Sequence, residues 1–431
     1  MKVIKSARAY AQIALKYLYS LPLYWVSLAC PRDKRLWVFG AWFGKRYSDN
    51  SRYLFEHVKK HHPEIRPVWL TRDPKITEAL QQDGYEAYLT HSLKGFWLSC
   101  RAGAAFVTCD SRDVNVLGIS RSKRIQLWHG TPLKKILADD LIGHQRKRSA
   151  LYYLVRRAAD FTFPFTQDRW DIITASSKTV KERLRSAFRV TDETVAVTGY
   201  ARGDVILDPS PQTPRWLREL LEETRATSTI LYAPTFRGTD NDVDLFETLD
   251  SHALEKFLAA HNTVLLIKMH YHNLAKVGLS NGQKGSRIKW LTEEEAPDIN
   301  VLLPHAHVLI TDYSSVFYDF LPLDRPILFT PFDLEQYLTR DRELYEDYFE
   351  ATPGPKCRDW PSVIENLEAL MRGTDAYRRT RADMLARFDA FADTSNCSRI
   401  VEATLRLLNP TRITPAKSPA PPPNQELSGV R

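Results

Sequence analysis

Short β-branched and aromatic runs alternate with helix-forming stretches along nearly all of this 431-residue chain, and that alternation restricts its fold more than any other feature. Strand-like runs stand at 35–41, 67–70, 104–109, 124–128, 171–175 and 194–197, then at 229–232, 263–268, 307–310 and 326–329. Helix-like spans such as 51–61, 76–83, 177–188, 254–261 and 318–323 separate them. Parallel strands need a crossover long enough to hold a helix, so this rhythm implies βαβ units. The expected fold class is α/β with parallel sheets.

The length exceeds what one hydrophobic core usually supports, which points to two domains. Asp208-Pro209-Ser210-Pro211-Gln212-Thr213-Pro214 interrupts any regular element and divides the chain. The expected organisation is an N-terminal segment over 1–33, a first domain over 34–208, a second over 216–408, and a disordered Pro-rich tail over 409–431. The last helical stretch, 361–408, reads as two main helical parts, 361–371 and 376–392.

Five scattered cysteines form no Cys-x-x-Cys pair, which argues against a disulfide framework or a zinc site and suits a reducing compartment. The net charge of +8 is uneven: residues 1–60 carry twelve Lys/Arg against three Asp/Glu, and residues 112–157 carry eleven against three. Such fields attract anions, whether lipid headgroups, a polyanionic substrate or nucleic acid. Neither a zinc finger nor a glycine-aromatic RNA-binding run is present, so nucleic acid is not expected. At the N-terminus, Ile4, Ala7, Ala11, Leu15 and Leu18 recur at helical spacing, while Lys5, Arg8, Gln12 and Lys16 fall on a neighbouring face. The apolar stretch from Tyr17 to Cys30 is shorter than the roughly 20 residues a spanning helix needs. A basic amphipathic segment lying on an anionic membrane surface is the expectation, with the protein peripheral at the cytoplasmic face. A helix packed on the protein's own surface is the alternative.

Four of the strand-like runs end in polar clusters, and ligands of open parallel sheets bind outside the carboxyl ends of strands. His129 and Gly130 follow the run at 124–128, with Lys134 close behind; a histidine there suits a general base on a hydroxyl. Arg237 follows the run at 229–232 and offers a bidentate clamp for phosphate. Lys268 and His270 close the run at 263–268, where cationic groups suit developing phosphoryl charge. Thr311, Asp312, Ser314 and Ser315 open a helix-like stretch, and hydroxyls with exposed N–H groups at a helix start suit phosphate. The Asp240-Asn241-Asp242 run lacks the glycine and terminal acid of a calcium loop, and no Walker loop or Gly-x-Gly-x-x-Gly is present, so no metal and no cofactor are expected, a divalent ion on Asp240 and Asp242 being the alternative.

Taken together, Asp49-Asn50-Ser51-Arg52-Tyr53, Trp128-His129-Gly130-Thr131-Pro132, Tyr232-Ala233-Pro234-Thr235-Phe236-Arg237, Lys268-Met269-His270 and Thr311-Asp312-Tyr313-Ser314-Ser315 resemble, in order, the CDP-glycerol glycerophosphotransferase family of teichoic acid and capsule synthesis. The resemblance spans about residues 34–395. It implies a GT-B fold, two Rossmann-like domains facing a cleft. The donor, a CDP-glycerol or other CDP-polyol, would sit on the second domain. A membrane-linked acceptor would approach over the first, near Asn50, Ser51, Gly130 and Lys134. His129 matches the family's proposed catalytic base; His270, Thr311, Asp312, Ser314 and Ser315 match positions around the donor diphosphate. Family members commonly carry proline after the second histidine, where this chain has Tyr271. The implied reaction is attack of an acceptor hydroxyl on the glycerol-linked phosphorus with release of CMP. A GT-B glycosyltransferase using a nucleotide sugar is the alternative.

Overall fold

The structure, a computed structural model, describes residues 18, 20–140, 157, 160–208, 213–235, 244–269, 286–292, 294–340 and 343–410, except the side chains at 166, 339 and 340. The tail from 411 onward, Arg237, His270 and residues 1–17 lie outside the described residues.

The first domain is built on seven strands: β1 (Asp33–Phe39), β2 (Arg66–Thr71), β3 (Ala87–Leu89), β4 (Ala102–Val107), β5 (Lys123–Gln126), β6 (Ile172–Ala175) and β7 (Val195–Val197). They lie in the order β3-β2-β1-β4-β5-β6-β7, every neighbouring pair parallel. The second carries β8 (Ser228–Tyr232), β9 (Thr263–Ile267), β10 (Ile288–Trp290), β11 (Val308–Thr311) and β12 (Ile327–Phe329). Their order is β10-β9-β8-β11-β12, again all parallel. In both sheets the strand order reverses beside the first strand, and such a switch point opens a crevice at the carboxyl ends. Central strands are buried on both faces, as in Ala102–Val107 and Thr263–Ile267, so they read as continuous apolar runs without alternation.

The alternation in the sequence thus gives the fold class, with two strands beyond those expected. β3 and β10 are three-residue edge strands, one in each sheet. The chain's last helical stretch holds three helices, Trp360–Met371, Arg378–Phe388 and Asn396–Leu408. The last one leaves the second domain: Cys397, Ile400, Val401 and Leu408 bury themselves among Phe55, Ile125 and Leu127 of the first. Asp204 anchors it by accepting the backbone N–H groups of Asn396 (2.9 Å) and Cys397 (2.8 Å). A sequence boundary of 216–408 therefore assigns to the second domain a helix that packs on the first.

The domains also share a core. Ile173, Val180 and Leu184 of the first join Leu231, Leu309 and Phe317 of the second in one buried cluster. Residues 20–29 form a helix docked on the first domain, where Ser27 Oγ donates to the Gly118 carbonyl (2.5 Å). Arg32 fastens the segment after it through the carbonyls of Ser99 (2.8 Å) and Gly118 (3.1 Å). Leu23, Trp25, Val26 and Leu28 remain exposed. Among the described residues no helix is long and apolar enough to cross a membrane.

Candidate active site between the domains

β4 and β5 run side by side with Val107 opposite Gln126, so the turns after them are neighbours. Gln126 links the two, its Nε2 donating to the Cys109 carbonyl and its Oε1 accepting from the Trp128 N–H (both 2.9 Å). The chain then turns sharply, with φ of 56° at Trp128 and 147° at Gly130. Positive φ at a bulky residue is costly and persists only where the surroundings impose it. Asn50 is one of those surroundings. Its Nδ2 donates to the carbonyls of Leu127 (3.3 Å) and Trp128 (2.9 Å), and its Oδ1 accepts from the Arg202 N–H (3.0 Å).

This turn aims His129 into the cleft. Its Nδ1 lies 3.0 Å from the Thr108 carbonyl oxygen. A carbonyl can only accept, so Nδ1 carries the proton and the lone pair belongs to Nε2. The ring rests against Trp128 and Trp42, at centroid distances of 4.1 and 5.5 Å. Thr108 is held in turn: the buried Asp113 carboxylate accepts N–H groups from Thr108 and Cys109 (both 2.8 Å) and from Phe43 (2.6 Å). Burial pushes Asp113 up to about 6, against the pull of those three donors.

On the facing domain, adjacency of β8 and β11 places the turns at 233–235 and 311–315 together. Thr311 Oγ1 donates to the Ala233 carbonyl (2.7 Å), and Asp312 Oδ1 accepts from Thr235 N (2.7 Å) and Tyr313 N (2.5 Å). Thr311 and Asp312 are fully buried and stitch the two turns; Ser314 and Ser315 are half-buried and face the cleft. The helix that follows is short, Val316–Phe320.

Two cavities meet at His129. One, of about 300 Å³, runs along residues 128–134 and against Pro234, Thr235, Tyr313, Ser314 and Ser315. The other, of about 500 Å³, adds Trp42, Arg46, Asp49, Lys268 and Asp298, and shares His129, Pro234, Ser314 and Ser315 with the first. The site residues expected from sequence thus fall into three groups. His129, Gly130, Lys134, Lys268, Ser314 and Ser315 line the cavities. Asn50, Thr311 and Asp312 sit behind the walls and hold the turns, while Ser51 is fully buried and its Oγ has no hydrogen-bond partner among the described residues. Arg237 and His270 lie outside the described residues.

Sequence reasoning missed Arg202. It sits just after β7, in the helix Ala201–Ile206, with its side chain 4% exposed. Its guanidinium meets Asp49 of the first domain and Asp319 of the second, at 3.1 and 2.9 Å. Burial raises Asp49 above its ordinary value and pushes Asp319 up to about 6, in both cases against the pull of Arg202. Asp298 adds a further link, accepting the Asp49 N–H (2.8 Å) and the Tyr53 hydroxyl (2.9 Å). The available signal was Asp49, which opens the Asp49–Tyr53 motif, and Asp319, four residues past the Thr311–Ser315 motif.

The profile of the CDP-Glycerol:Poly(glycerophosphate) glycerophosphotransferase family matches residues 23–406. The chain belongs to that family. It is 27% identical over 383 residues to the teichoic acid glycerol-phosphate transferase of Staphylococcus aureus (strain NCTC 8325 / PS 47), covering 87% of this chain and 94% of that protein. It is 27% identical over 373 residues to the teichoic acid poly(glycerol phosphate) polymerase of Staphylococcus epidermidis, covering 83% of this chain but 47% of that longer protein. The chain therefore spans about half the length of some relatives and nearly all of others. Among solved structures, the wall teichoic acid polymerase TagF superposes with a TM-score of 0.70 at 24% identity, over 95% of this chain and 98% of that one. That likeness supports the two-domain fold.

Proposed function

We propose that this protein transfers glycerol phosphate, or a related polyol phosphate, from a CDP-activated donor to a hydroxyl of a membrane-linked acceptor, releasing CMP. The observation that carries the reading is His129: its tautomer is fixed by the Thr108 carbonyl, and its ring borders both cavities opposite a rim of serine hydroxyls. Nε2 takes the proton of the acceptor hydroxyl as its oxygen attacks the glycerol-linked phosphorus. The bond to CMP breaks, and the charge on the leaving phosphate meets Ser314, Ser315 and Lys268, with Arg237 and His270 assigned to the same side by motif. CMP is a competent leaving group, so positioning and electrostatics supply most of the acceleration.

The test is a donor screen. Incubation with CDP-glycerol, CDP-ribitol and UDP-sugars, each with a glycerol-phosphate-primed acceptor, should release CMP from a CDP-polyol; UDP release alone would replace this reading with a glycosyltransferase.

Association with the cytoplasmic face of the membrane belongs to the same proposal, in teichoic acid or capsule-like polymer synthesis. Supporting it, Trp25 and Val26 on the docked helix are 61% and 50% exposed, and Phe161 is 89% exposed. Exposed tryptophan and aliphatic groups beside basic residues suit an anionic bilayer surface. Trp25→Ser with Val26→Ser should lower partitioning onto vesicles containing anionic lipid; unchanged partitioning would remove this part of the proposal.

A further inference from the structure

We propose that Arg202 is a positioning residue that makes the catalytic orientation of His129 conditional on closure of the two domains; this rests on His129 being the base. Arg202 Nη1 donates to the His129 carbonyl oxygen (2.8 Å) as well as to Asp49 Oδ1 (3.1 Å). Nε of the same guanidinium donates to Asp319 Oδ1 (3.0 Å). One planar group therefore grips the backbone of the catalytic turn with one edge and the opposite domain with the other.

That geometry couples the two. A guanidinium is a rigid fork, so its edges cannot be reoriented independently. Withdrawal of Asp319 leaves a buried cation short of a counter-charge, and the group must follow its partner or repack. Either movement gives up the bond to the His129 carbonyl. The turn it holds is strained at Trp128, whose φ is positive, so it depends on external clamps. Asp319 lies four residues beyond Ser315 in the rim that faces His129, which ties Arg202 to the same wall that borders the donor-side cavity. Gly130 leaves the room required: a Cβ there would stand 2.9 Å from Arg202 Nη2 and 3.2 Å from Ser315 Oγ. The Asp298 bonds to Asp49 N and Tyr53 Oη add a second stitch across the same seam.

The test compares Arg202→Lys, Arg202→Met and Asp319→Asn in the full chain, by CMP release kinetics and by small-angle scattering without substrate. A misplacement of about 1 Å at a reacting group costs roughly 100-fold in rate. Arg202→Met should lower kcat by about that factor with donor KM changed less than about threefold, and Arg202→Lys should recover part of the loss. Asp319→Asn, which leaves the whole first domain intact, should lower kcat in the same direction and enlarge the radius of gyration. Combined with Arg202→Met it should add little, because both cut one link. Arg202→Met turning over within about twofold of the parent, or Asp319→Asn leaving both kcat and scattering unchanged, would overturn the coupling. If the Arg202 variants do not fold, Asp319→Asn carries the test alone. The scattering arm is independent of the reaction: normal turnover in His129→Ala would remove the base assignment while leaving closure by Arg202 and Asp319 measurable.

Discussion

The two rims of the cleft are built on different principles. The His129 rim is a strained turn held from outside by Asn50, Thr108 and Arg202, with positive φ on either side of the histidine. The Thr311–Ser315 rim shows no positive φ and is stitched to the turn at 233–235 through Thr311 Oγ1 and Asp312 Oδ1. A turn that must be imposed suits a group that needs one orientation. An unstrained turn suits a surface that only has to present hydroxyls. The first rim should therefore govern turnover, and the second should govern donor affinity.

The largest expected effect is at the histidine. His129→Ala should lower kcat by about 10²–10⁴, the range for a positioned general base, with donor binding by calorimetry nearly unchanged. Near-normal kcat would dissolve the contrast between the rims. Next comes Gly130→Ala, whose Cβ would enter the space of Arg202 and Ser315 at a φ that disfavours side chains. A strain of about 1–3 kcal/mol should appear as a 10- to 100-fold lower kcat, with a small fall in melting temperature. On the other rim, Ser315→Ala removes a single hydroxyl, worth about 0.5–1.5 kcal/mol. It should raise donor KM about two- to tenfold and leave kcat within about twofold; a kcat effect instead would show both rims acting on chemistry.

The smallest effect tests a region remote from both rims. Burial, with His61, His62 and Lys60 nearby, lowers His57 to about 4. The unfolded chain takes up this proton near pH 6.5, whereas the folded chain resists it until about 4. Stability from this group is thus present above pH 6.5 and lost as pH falls toward 4. His57→Phe should flatten the decline of melting temperature across that window while leaving kcat at neutral pH unchanged. An unaltered slope would discard the assignment.

Much of this was legible from local pattern. Apolar runs marked most strands because central parallel strands are buried on both faces. The polar strings after them marked the cleft because residues at strand ends have few places to go. Which of those polar residues face the cavity was not legible. Asn50 and Asp312 look like ligand contacts in sequence, yet both make hydrogen bonds to backbone that hold the turns, Asn50 Nδ2 donating and Asp312 Oδ1 accepting. Arg202 escaped notice because its partners lie 153 and 117 residues away. Only the tertiary fold makes that triad local.

The closing helix Asn396–Leu408 has a consequence for how the molecule comes to exist. It supplies Cys397, Ile400, Val401 and Leu408 to the core of the first domain. During synthesis, one face of the seven-stranded sheet, covered in part by Tyr53, Leu54, Phe55 and Val58, must wait for the whole second domain before this helix completes its cover. The nascent first half then carries an open apolar wall while the second half emerges, the kind of exposure that invites aggregation. The first domain is therefore completed only after the second has emerged, and a chain cut before Asn396 leaves neither half finished.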